Sequence, residues 1–263
     1  MQLVDSHCHL DCLDLSQHNH DLDVVIQRAL NANVCHMLCV CIELTRFSQM
    51  HQIACQYPFI SSSVGLHPTE TCTSEPTVEM LTDMAQQPSV VAIGETGLDY
   101  YRESIPIQTQ QQRFRTHIQA ALLANRPLIV HTRSAREDTI NILKEEGADR
   151  IGGVLHCFTE DWDMAKAACD LGFYISFSGI ITFKNAKEIQ SVVQKLPIER
   201  MLIETDAPYL APVPYRGKTN EPSYVQFVAQ KVAELRSMDI AEIAHHTTQN
   251  FFSLFKQAQN NQP

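Results

Sequence analysis

Two histidines one residue apart, His7 and His9, close the first apolar run of the chain. On a β-strand alternate side chains share a face, so both imidazoles project the same way. That arrangement chelates a divalent cation, because neutral imidazole is the commonest nitrogen ligand. Four more potential ligands follow apolar runs of their own: Glu95 after residues 90–93, His131 after 128–130, His156 after 153–155 and Asp206 after 200–203. Four imidazoles and two carboxylates exceed what one ion needs and suit two. Two divalent ions sharing a carboxylate polarise a scissile group and stabilise both attacking and leaving oxygens, which is the chemistry of a hydrolase. Glu95 is the candidate bridge, and Asp206 the candidate ligand that also takes a proton from the attacking water. The donor set contains no thiolate; it fits Zn, Mn, Co, Ni or Mg, and its imidazoles turn it away from purely oxygen-ligated Mg or Ca. Cys8 faces opposite to its two histidine neighbours and is not counted.

Six candidates on five run-ends can meet only if the fold brings them to one rim. Strand-like runs at residues 2–6, 35–42, 59–65, 90–93, 128–130, 153–155, 173–177 and 200–203 alternate with helical patterns at 21–32, 45–56, 76–87, 109–124, 135–146, 162–171 and 186–195. Thr45 is placed to cap the second helix. Two further helices, at 222–236 and 239–257, finish the chain. Regular alternation implies a parallel sheet, and eight units imply a closed (β/α)8 TIM barrel with extra C-terminal helices. Such barrels carry their active sites at the C-terminal ends of the strands, where all six candidates fall. The expected organisation is one barrel domain over residues 1–258, with a frayed Gln/Asn-rich tail at 259–263. An open doubly wound sheet is the alternative, but no G-x-G-x-x-G follows the first run.

A formal charge of −10 argues against a broad electrostatic grip on duplex nucleic acid. A phosphate-bearing substrate must then be held locally, by metals and a few basic side chains. Arg133 and the loop at 216–222, with Arg216 and Lys218, are candidates for that contact. Tyr100 and Tyr101 are candidates to stack on a base. The nine cysteines are scattered, odd in number and without a C-x-x-C pair, as in a reduced cytoplasmic protein. No signal-peptide pattern and no apolar run of membrane-spanning length is present, so no membrane association is expected.

Several segments in order carry a resemblance. They are residues 3–11, Gly65-Leu66-His67-Pro68, Gly94-Glu95-Thr96-Gly97-Leu98-Asp99-Tyr100, residues 127–133, His156-Cys157-Phe158, Glu204-Thr205-Asp206-Ala207-Pro208-Tyr209, and the loop from Arg216 to Pro222. Over nearly its whole length the chain resembles the TatD family of metal-dependent deoxyribonucleases, a branch of the amidohydrolase-like barrels. The resemblance implies two divalent cations, with His7, His9, Glu95 and Asp206 at one and Glu95, His131 and His156 at the other. It also implies phosphodiester hydrolysis, with exonuclease action on single-stranded DNA ends. His67 and Arg133 become substrate or supporting groups, and Glu204 a group that orients a ligand. Family members often read His-Cys-Phe-Ser-Gly, whereas here Thr159 and Glu160 follow Phe158. An acid facing the rim at that point would repel phosphate.

The expected function is a metal-dependent hydrolase acting as a deoxyribonuclease on DNA or another phosphodiester. Two rivals stand beside it. The same site could cleave an ester or amide, such as a D-aminoacyl-tRNA ester or a cyclic amide, or the barrel could bind metal without catalysis.

Overall fold

The computed structural model describes residues 1–18, 20–102 and 104–258. The tail expected at 259–263 lies outside the described residues. Eight strands, β1 (Leu3–Cys8), β2 (Val34–Cys39), β3 (Ile60–Val64), β4 (Val90–Asp99), β5 (Leu128–Arg133), β6 (Gly153–Leu155), β7 (Tyr174–Phe177) and β8 (Met201–Ile203), pair in sequence order. Every pairing is parallel. The seam between the last strand and the first is closed by a parallel bridge from Cys8 to Ala207. Around the seam, Asp206 N donates to His7 O at 2.9 Å and His9 N to Ala207 O at 2.7 Å. The buried Asp5 carboxylate accepts from Thr205 N at 2.8 Å and from Thr205 Oγ1 at 2.6 Å. The expected (β/α)8 barrel is therefore the fold.

Nine α-helices occur among the described residues: α1 (Leu22–Asn31), α2 (Phe47–Gln56), α3 (Val78–Met84), α4 (Ile107–Ala124), α5 (Arg136–Glu145), α6 (Trp162–Asp170), α7 (Lys187–Lys195), α8 (Val225–Arg236) and α9 (Ile240–Leu254). Local chemistry starts several of them. Asp21, Thr77 and Asp161 accept backbone N–H groups of the first turns of α1, α3 and α6, and Asp239 with Glu242 forms a capping box on α9. Thr45 does not cap α2; it lies inside a 3-10 turn, Leu44–Arg46, that leads into that helix. No helix is long and apolar enough to cross a membrane.

Val4, Leu38, Val91, Ile129, Val154 and Leu202 come from six different strands and pack on one another. Side chains from opposite sides of the ring can meet only inside it, so these fill the barrel interior. Phe251 of α9 and Phe255, the residue after that helix, join the same cluster and plug its N-terminal end. A second, larger cluster fills the layer between strands and helices.

His36 of β2 is buried beside Phe251 and Phe252, with ring centroids 5.3 and 5.4 Å away, and shares a 2.8 Å hydrogen bond with Ser61 Oγ. Burial pushes its pKa down to about 4. Between about 4 and the ordinary value near 6.5, the unfolded chain binds a proton that the native chain refuses. Stability is thus complete above about 6.5 and lost as pH falls towards 4, by about 3 kcal/mol for this group. Melting curves from pH 7 to 4.5 should show wild type losing more stability than His36→Gln; parallel losses would exclude the assignment.

Candidate metal centre

Two strands extend further than apolar runs foretell. β4 continues to Asp99 and β5 to Arg133, paired through Thr96 with Val130, Gly97 with His131 and Asp99 with Arg133. Glu95 and His131 therefore lie within strands rather than after them. Between Ile93 and Thr96, β4 advances three residues while β5 advances two. That bulge re-aims the Glu95 side chain towards the mouth of the barrel. A matching irregularity separates Asp5 from Cys8 in β1, beside His7. Gly97 adopts φ +128°, and a Cβ there would lie 2.0 Å from the His131 carbonyl oxygen. Gly97→Ala should cost about 3 kcal/mol or more through strain and overpacking of the β4–β5 pair. A denaturant midpoint unchanged from wild type would count against this reading.

The structure brings all six sequence candidates together, and His67 with them. Glu95 Oε2 lies 3.3 Å from His7 Nε2. Glu95 Oε1 lies 2.8 Å from His156 Nε2, 3.2 Å from His131 Nδ1 and 3.2 Å from His67 Nε2. Asp206 Oδ1 is 3.4 Å from His9 Nε2 and 3.7 Å from His7 Nε2, and the two Nε2 atoms are 3.3 Å apart. Three overlapping groups among the described residues could each hold an ion: His7, His9 and Glu95; His7, His156 and Asp206; His67, Glu95 and His131. Asp206 has φ +59°, an uncommon conformation for a residue other than glycine, which turns the chain at the seam.

The far ring nitrogens sort these imidazoles. His9 Nδ1 donates to Val40 O at 2.9 Å, leaving the lone pair on Nε2. His131 Nε2 donates to Asp99 Oδ2 at 3.1 Å, leaving its lone pair on Nδ1, and His156 Nδ1 donates to Glu204 Oε1 at 3.3 Å, leaving its own on Nε2. In its neutral form each presents a lone pair inward, as a metal ligand must. His67 is the reverse. Its Nδ1 accepts the Thr69 backbone N–H at 3.2 Å, so the proton sits on Nε2 and faces Glu95 as a donor. In that tautomer His67 donates to the carboxylate rather than offering it a lone pair.

Burial alone would raise the pKa of Glu95, but the surrounding imidazoles of His156, His67 and His131 outweigh it and hold the group well below the usual carboxylate range. Burial opposes Asp206 in the same way and is outweighed by His9, His7 and His156. Burial lowers His67 to about 4, keeping it neutral. Two ionised carboxylates among imidazole lone pairs fit a divalent metal by donor chemistry.

The centre opens into a cavity of about 580 Å³ lined by Arg102, Arg133, Thr159, Ile180 and Tyr209 among others. Arg133 lies over the exposed Tyr101 ring, 3.9 Å from its centroid. Tyr100 is different: its hydroxyl donates to Asp138 and accepts from Gln111, so it braces α4 and α5 instead of facing the cavity. The loop at 216–222 also differs from expectation. Arg216 stacks on Phe183, Glu221 pairs with Arg28, and Asn220 Nδ2 donates to Thr205 O and Tyr209 O. It props the β8 loop from outside, and none of its residues lines this cavity. Glu160 is buried and paired with Arg136, so the rim presents Thr159 rather than an acid.

Asp99 is the functional residue the sequence reading passed over. It lies four residues after Glu95, an even spacing that places both carboxylates on one face of an extended strand.

A sequence-family profile described as TatD related DNase matches residues 4–256. YcfH of Escherichia coli K12, described as an uncharacterized metal-dependent hydrolase, is 46% identical over 256 residues, covering 97% of this chain and 96% of that protein. A protein of Escherichia fergusonii described as 3'-5' ssDNA/RNA exonuclease TatD is 34% identical over 249 residues, covering 92% and 96%. The crystal structure of YJJV, a TatD homolog from Escherichia coli K12, matches with a TM-score of 0.89 at 29% identity over 97% of this chain and 98% of that one. Fold, donor cluster and relatives agree, and the chain belongs to the TatD family of metal-dependent hydrolases.

Proposed function

We propose that this hydrolase is a phosphodiesterase that removes nucleotides from the ends of single-stranded DNA, using two divalent cations. The observation that carries the reading is the division of Glu95: one carboxylate oxygen faces His7, and the other faces His131 and His156. His7, His9, Glu95 and Asp206 would hold one cation; Glu95, His131 and His156 the other. Divalent ions so held supply Lewis acidity to the scissile group and ease deprotonation of the attacking water.

The remaining steps belong to side chains. Asp206, ionised and facing the cavity, takes the proton lost by the attacking water. Arg133, steadied on Tyr101, and Arg102 bind phosphate oxygens by charge-assisted hydrogen bonds. His67 donates to Glu95 and keeps its carboxylate in place. Restriction of the cationic contacts to the cavity suits a single-stranded end better than duplex, given the chain's net charge of −10. The name of the Escherichia fergusonii relative supports this substrate class and a 3′ to 5′ direction. A cytoplasmic setting is part of the reading, supported by nine unbridged thiols.

The test is release of nucleotides from 3′- and 5′-labelled single-stranded DNA with Mg, Mn or Zn, beside Asp206→Asn. Release from the 3′ end that requires metal, and falls about 10²- to 10⁴-fold in the variant, is the expected result. Metal-loaded protein that leaves DNA intact but cleaves an aminoacyl ester would replace this reading with the esterase.

A further inference from the structure

Three of the four imidazoles in the proposed ligand set pass their far N–H to an acceptor: His9 to Val40 O, His131 to Asp99 and His156 to Glu204. His7 is the exception. It is fully buried, and its Nδ1 has no hydrogen-bond partner. If Nε2 offers the lone pair, Nδ1 must carry the proton, and a buried donor left unmatched costs about 1–3 kcal/mol.

The same site contains a matching acceptor. Glu204 is fully buried on the loop after β8, and its Oε1 accepts from Cys157 N at 2.8 Å and from His156 Nδ1 at 3.3 Å, while Oε2 has no donor. The rings of His7 and His156 are stacked, with centroids 3.9 Å apart and planes 11° from parallel, and both direct Nε2 at Glu95. Asp5, two residues before His7, has both side-chain oxygens accepting from Thr205.

We propose that Glu204 is a positioning residue shared by both ion positions, with Oε1 accepting from His156 Nδ1 and Oε2 from His7 Nδ1, in direct contact or across one water. This rests on the two-cation reading above, in which His7 and His156 serve different ions. One buried carboxylate then fixes one imidazole of each position, so the two positions are coupled through it as well as through Glu95. A group that supported His156 alone would affect one ion only.

The test uses the full chain loaded with Zn and titrated with a chelator, comparing wild type, Glu204→Gln and Glu204→Asp. Gln keeps an oxygen for Cys157 N–H but turns an N–H donor towards one imidazole. The proposal expects two bound equivalents in wild type and loss of about 10- to 100-fold in affinity at both in Glu204→Gln, the usual effect of removing a supporting partner. It expects partial recovery in Glu204→Asp and a melting temperature of the metal-free protein close to wild type. Weakening of one equivalent with the other unchanged would overturn it. Nitrogen-15 histidine spectra of the Zn-loaded wild type decide without any variant: protonated Nδ1 on both His7 and His156 is expected, and a proton on His7 Nε2 refutes the proposal. Wild type that binds no divalent ion overturns the functional reading itself.

Discussion

Glu95→Gln should lose more than about 100-fold in metal affinity, above the range for removing a supporting partner, and hydrolysis should fall below detection. Its carboxylate touches both halves of the donor set: His7 approaches one of its oxygens, and His67, His131 and His156 approach the other. The amide is nearly isosteric, so packing survives, but it brings N–H groups towards imidazole lone pairs and removes the charge that two cations would share. Elemental analysis after gel filtration, with turnover measured on the same sample, checks this. Full metal content with unchanged turnover would remove Glu95 from the mechanism.

Arg113→Met should destabilise the native state by about 3 kcal/mol and depress activity without touching substrate. Arg113 belongs to α4 and is almost wholly buried. Its guanidinium donates to Glu75 through Nε at 2.8 Å and Nη2 at 2.7 Å, and through Nη1 to the carbonyls of His67 and Glu70, each at 2.9 Å. Four hydrogen bonds from a rigid fork thus hold the loop that follows β3. Methionine restores much of the volume and none of the hydrogen bonds, so the His67 and Glu70 carbonyls and the Glu75 carboxylate lose the guanidinium's donors. Urea denaturation measures the stability loss. A midpoint within a few tenths of a molar of wild type would show that the loop holds itself.

The alternation of runs made the barrel legible, because eight β/α units need no tertiary information to be counted. Run-ends also located the six donors, since a barrel strand turns polar where it reaches the rim. Strand lengths were not legible at the centre. β4 passes through Gly94, Glu95, Thr96 and Gly97, a stretch that reads as a turn, and only its pairing with β5 keeps it extended. Tertiary contacts decided the substrate contacts as well. Lys and Arg in the loop at 216–222 look free in sequence, but Arg216 is taken up by Phe183 and the loop's Glu221 by Arg28. Glu160 reads as an acid at the mouth, but Arg136 of α5 holds it. Asp99 was readable from its spacing to Glu95 but had no apolar run ending on it.

Closure of the barrel across the first and eighth strands sets an order of events during synthesis. His7 and His9 leave the ribosome almost at once, whereas Asp206, which reaches them across the seam, emerges only after all eight strands have been made. The clamp beside them joins Asp5 to Thr205, residues 200 positions apart. A nascent or truncated chain therefore holds two imidazoles and no seam carboxylate, and cannot form this chelate. The group that includes Asp206 is completed only once translation has passed the last strand.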